Sequence, residues 1–155
     1  MENYVFVCIG TNKLIEDSFG PRVGDILEKQ FEKNKHIKIL GTMNSPIHFQ
    51  NAPIFLDYLK QEGSKTIIID SALGEENLIG NSYLNRGGIE IGKAFGKSFY
   101  FPAQWNIKTI VGTNKNSTQA IRRFEEVKKR KKLNTINQIA QKLAKQIVDT
   151  IYVIN

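Results

Sequence analysis

Apolar and polar positions follow two different rhythms along this chain. Tyr4–Ile9 is a nearly unbroken apolar run of strand length. Phe19, Val23, Ile26, Leu27 and Phe31 then recur at helical spacing. They predict a helix running to about Lys33, with Ser18 as its cap and Pro21 tolerated in the first turn. Ile37–Leu40 reads as a second strand. Ala52–Gln61 reads as a second helix, opened by Pro53 and closed by Gly63. Lys65–Asp70 is a third strand, and Thr66-Ile67-Ile68-Ile69 lacks polar alternation, the pattern of a strand buried on both faces. Gly80, Gly87, Gly88, Gly92 and Gly96 break up the middle, which yields one short strand at Ile89–Ile91. Ile107–Val111 is a further strand, and two helices are expected to close the chain. The last carries one apolar stripe through Ile136, Ile139, Ala140, Leu143, Ile147, Val148 and Ile151.

Strands alternating with helices predict an α/β fold with a mainly parallel sheet covered on both faces, a three-layer α/β/α sandwich. A length of 155 residues suits one domain over residues 1–155, and no internal repeat divides it. An apolar fraction of 41% with four prolines supports a packed core. No apolar run approaches the roughly 20 residues that span a bilayer, and no charged leader with an apolar stretch opens the chain. A cytoplasmic location is therefore expected. The single Cys8 sits in an apolar strand and reads as a small core residue. One Cys and two His, His36 and His48, do not supply the usual ligands of a structural zinc site.

Charge changes the picture at one place. The net charge is +7, and the window 122–132 holds seven Lys and Arg against two Glu, a local +5. Such a run suits a solvated helix face with a basic linker, or a contact with phosphates or acidic peptides. No nucleic-acid motif or aromatic platform accompanies it.

In a sheet of this class, ligands bind beyond the carboxyl ends of the strands where the strand order reverses. The loop after the first strand, Gly10–Pro21, carries Asp17, and the segment Asp70–Gly74 begins with Asp70. A 2-1-3 strand order would bring these acids face to face. Two facing carboxylates titrate together and retain one proton, so one acts as base and the other as acid, which suits activation of water for attack on a carbonyl. Read alone, Asp17 equally suits a helix start and Asp70 a strand end.

The stretch Cys8-Ile9-Gly10-Thr11-Asn12 through Glu16-Asp17-Ser18-Phe19-Gly20-Pro21, with Ile69-Asp70-Ser71-Ala72-Leu73, resembles the germination protease of spore-forming bacteria. It resembles still more the smaller sporulation protein YyaC family, and both resemble the hydrogenase maturation endopeptidases in fold. The resemblance implies an aspartic-type peptidase of sporulation or germination, in the spore or mother-cell compartment, with Asp17 and Asp70 as its catalytic acids and no cofactor. In the hydrogenase relatives a downstream His helps to hold nickel, whereas no His follows His48 here. The germination protease begins with a removable prosegment; with a first strand at Tyr4, none is expected. The family's Gly/Pro-rich loop is matched only in part by Asn85–Lys97. Asn12, Arg86 and Lys93 are taken as substrate-binding residues.

Other motifs carry less. Gly87-x-x-x-x-Gly92-Lys93 is followed by Ala94, so the hydroxyl that a phosphate loop offers to magnesium is missing. Gly10 has no GxGxxG continuation. A nucleophilic Ser18 or Ser71 needs a His base, and His36 and His48 are expected to lie away from both motifs, so a Ser/His mechanism is not expected. Trp105 with Phe99, Tyr100 and Phe101 suits a loop packed over the core, or a peptide groove. The expected partner is a protein or peptide substrate, with neither membrane nor nucleic acid. The apolar stripe of the last helix can serve a homodimer interface as well as a core. The competing expectation is a non-catalytic protein of the same fold that contacts an acidic protein or nucleic acid through 122–132.

Overall fold

The computed structural model describes residues 2–113 and 125–154. Its elements are β1 (Tyr4–Cys8), α1 (Phe19–Gln30), β2 (Ile37–Leu40), α2 (Ala52–Glu62), β3 (Lys65–Gly74), β4 (Ser82–Arg86), β5 (Ile89–Ile91), β6 (Phe99–Phe101), β7 (Trp105–Thr113) and α3 (Glu125–Ile154). Five strands form one sheet in the order β2-β1-β3-β7-β4. The first four are parallel, and β4 joins the edge antiparallel to β7. β5 and β6 form a separate antiparallel ribbon.

Side chains on successive strand residues point to opposite faces, so β1 feeds two cores. Phe6 and Cys8 meet Phe19, Val23 and Leu27 of α1 and Ile136, Ala140 and Leu143 of α3. Val5, Val7 and Ile9 meet Ile47, Ala52, Ile89, Ile91 and Phe101 on the other side. The chain moves outward from β1 to β2 and then back past β1 to β3. Right-handed crossovers put the two connecting helices on opposite faces of the sheet. The result is the three-layer α/β/α sandwich, with its reversal of strand order between β1 and β3.

Several boundaries differ from the sequence pattern. β3 runs on to Gly74, so Asp70 lies inside a strand, paired in register with Lys108 of β7. α1 ends at Gln30. Ser18 does not cap it: its Oγ donates to the Ile15 carbonyl (2.7 Å) and accepts from Arg22 Nε (2.8 Å). Of two closing helices, the described residues contain one continuous helix, α3, while 114–124 lie outside them. β4 and β6 were not legible. Every residue of β4 is exposed, so it has no buried face to impose an alternation. The aromatic cluster divides: Phe101 is fully buried in the second core, Tyr100 is exposed, and Arg86 lies over the Trp105 ring.

Candidate active site

β1 leaves the sheet after Cys8, which pairs with Ile69. β3 continues alongside β7. This divergence opens a cleft of about 720 Å³ at the carboxyl ends of the two strands. Asp17 and Asp70 both line it, with Asn12, Lys13, His48 and Ser71 among the polar residues and Leu14, Phe49, Ile91 and Phe95 among the apolar ones. The volume falls within the ~300–1,000 Å³ common for ligand sites.

Backbone contacts hold Asp17 in place. Its carbonyl accepts a hydrogen bond from the Thr11 amide (2.9 Å). A Cβ on Gly10 would stand 2.1 Å from that carbonyl oxygen and 2.6 Å from Pro21 Cδ, so the close approach needs a glycine. Its neighbour Glu16 is tied to Lys132 of α3 by an ion pair of 2.8 Å. The Gly10 amide donates to the Ile47 carbonyl (2.9 Å), joining the loop to the second core.

Asp70 is held by β3 and follows Ile68 on the face of the second core. Burial pushes its carboxyl up to about 6. Lys108 and the Ser71 amide oppose that push, and the Asp17 charge adds to it. Partial burial also raises Asp17, and Glu16 adds to the effect. Below pH 6 the site therefore retains a proton on Asp70.

The other residues singled out in the sequence divide. Asn12 lines the cleft, and its Nδ2 donates to the Met43 carbonyl (3.0 Å). Lys93 is exposed between Gly92 and Phe95, both of which line the cleft. Arg86 does not join them: it pairs in register with Trp105, three positions before the Asp70 level and on the α3 side of the sheet. It followed from a partial motif, which carries no information about the edge strand in between. His48 corrects the sequence reading in the other direction, because it lines the same cleft as Ser71. Its Nδ1 accepts from the Gln50 amide (3.2 Å), which leaves Nε2 to carry the proton in the neutral ring. Lys108 was also missed, since only the β3–β7 register sets it beside Asp70.

The buried Cys8 thiol is raised by desolvation, which keeps it in the neutral form. Among the described residues, no group of three or more His, Cys, Asp or Glu is arranged to hold a metal ion. None of the described helices is long and apolar enough to cross a membrane.

A family model described as "Protein of unknown function (DUF1256)" matches residues 1–146. The uncharacterized protein YyaC of Bacillus subtilis (strain 168) is 27% identical over 112 residues, 71% of this chain. The chain spans about half of that relative, 54% of its length. Among solved structures, the [NiFe] hydrogenase maturation protease HycI from Thermococcus kodakarensis superposes with a TM-score of 0.56 at 17% identity, covering 95% of this chain and 90% of that one. The hydrogenase maturating endopeptidase HybD from E. coli gives a TM-score of 0.48 at 11% identity, over 98% and 93% of the two chains. The HycI likeness shows a shared α/β fold with a mainly parallel sheet.

Proposed function

The protein belongs to the DUF1256 family, and we propose that it is a peptide hydrolase in which Asp17 and Asp70 activate water. The observation that carries this reading is that both acids line one cleft at the reversal of strand order and that both are raised by burial. Ionised Asp17 takes a proton from water as it attacks a peptide carbonyl. Protonated Asp70 donates to the departing amide nitrogen. The fold shared with a maturation protease supports the peptidase class. We assign the activity to sporulation or germination, in the spore or mother-cell compartment, on the resemblance of the two acidic motifs.

The test is a peptide library made from a proteome digest, with new termini read by mass spectrometry. Wild-type protein is expected to produce cleavages that vanish in both Asp17→Asn and Asp70→Asn while each variant stays folded. Cleavage retained in a folded Asp70→Asn protein contradicts the mechanism.

A second reading rests on Lys128–Lys132, five consecutive exposed basic residues of α3. In this reading the protein binds an acidic partner and catalyses nothing. Binding would then fall steeply with salt and be lost on charge reversal at Lys128–Lys131. Unchanged binding after that reversal removes it.

A further inference from the structure

The mouth of the acidic cleft leaves large apolar side chains in water. Leu14, on the loop after β1, is 61% exposed, and Phe95 is 66% exposed. Phe95 is nevertheless anchored. Its ring stacks on Phe49 with centroids 4.4 Å apart and planes 15° apart. Phe49 in turn packs against the second core.

The local backbone is built to hold Phe95 there. Gly92 and Gly96 bracket the turn at φ of 90° and 69°, conformations that favour glycine. The turn is closed by the Phe95 amide on the Gly92 carbonyl (3.0 Å) and the Gly96 amide on the Lys93 carbonyl (3.2 Å). A Cβ on Gly92 would stand 2.0 Å from the Lys97 carbonyl oxygen. A tight glycine-dependent turn therefore presents an aromatic ring to solvent at the cleft that holds Asp17 and Asp70. An exposed apolar surface continuous with a polar site is the arrangement of a ligand groove.

We propose that Phe95, Phe49 and Leu14 form a subsite that receives a large apolar side chain of an extended peptide lying across the acid pair. The inference deepens the peptidase reading by naming a substrate class. It accounts for the exposed Leu14 and Phe95 on a cleft whose other exposed lining residues, Asn12, Lys13, Asp17 and Gln50, are polar. A ligand side chain seated on the outer face of Phe95 removes that face from water without reordering the protein, because Phe49 already fixes the ring.

The experiment selects phage-displayed random peptides on the Asp17→Asn/Asp70→Asn double variant, which binds without cutting. The selected peptides are expected to share a large apolar residue at one position. Phe95→Ser and Leu14→Ser, each introduced into the double variant, should weaken those peptides by about tenfold, the scale on which apolar pockets discriminate. Melting temperature, read in parallel, should hold in Leu14→Ser, whose side chain is exposed, and fall only slightly in Phe95→Ser, which loses its stack on Phe49. Two substitutions on different segments keep the test decisive should one of them disturb the fold. Absence of an enriched apolar position, or affinity unchanged in both variants, overturns the subsite. Peptides that carry the apolar signature and bind, yet remain uncut by the wild-type chain, support the subsite and contradict hydrolysis. Peptides cut with no apolar preference overturn the subsite and leave hydrolysis standing.

Discussion

Asp70 concentrates the energetic cost of the site. Its carboxyl is raised from 3.8 to about 6, chiefly by burial. The folded state therefore prefers the protonated acid. Stability from this group is complete below the unfolded value near 4 and is lost as pH rises through 6. Asp70→Asn keeps an oxygen for the Ser71 amide and removes the charge. The variant should gain roughly 1–3 kcal/mol at pH 7–8, since each tenfold change in proton affinity between folded and unfolded chain is worth about 1.4 kcal/mol. The gain should disappear below about pH 4, which urea unfolding at both pH values checks. Equal stability at pH 8 would place the Asp70 carboxylate in water. Asp70 itself was legible as an acid in a suitable segment, but its burial and its neighbour Lys108 were not. Both depend on β3 running past Asp70 beside β7, a tertiary pairing that the local pattern Asp70-Ser71-Ala72-Leu73-Gly74 does not announce.

At the scale of elements, the first loop and the start of α1 hold the site through backbone contacts. Gly10→Ala would drive a Cβ into the Asp17 carbonyl and the Pro21 ring. Such overpacking costs about 1–3 kcal/mol, and here the relief comes by moving Asp17. Activity should therefore fall further than the loss in melting temperature explains, when assayed well below the transition. An active Gly10→Ala protein with unchanged stability would show that the loop does not position Asp17. Elements with one buried face were the legible ones: Phe19, Val23 and Leu27 of α1 and the stripe of α3 point into one core. β4 was not, because edge pairing to β7 leaves Ser82–Arg86 exposed throughout. His48 sits in a loop whose path is set by the Ile9–Ile47 bridge and the Gly10–Ile47 hydrogen bond, contacts remote in sequence.

For the whole molecule, the sheet order turns two distant motifs into one site. Asp17 and Asp70 stand 53 positions apart in the chain. They line one cleft because β1 and β3 are neighbours in the sheet. The pattern of strands and helices was enough to foresee the parallel sheet and a cleft that both segments line. It did not reveal Lys108 of β7, Phe49 of the loop before α2 or Phe95 of the turn between β5 and β6 as surroundings of the acids. The central claim is that Asp70 is a desolvated acid whose titration feels Asp17 and Lys108 as charged neighbours. The most direct measurement is NMR titration of carbon-13-labelled Asp carboxyls in wild type, Asp17→Asn and Lys108→Met. The account predicts an Asp70 midpoint near 6 in wild type, lower in Asp17→Asn, where a negative neighbour is lost, and higher in Lys108→Met, where a positive one is lost. An Asp70 midpoint near 4 that neither substitution moves would contradict it.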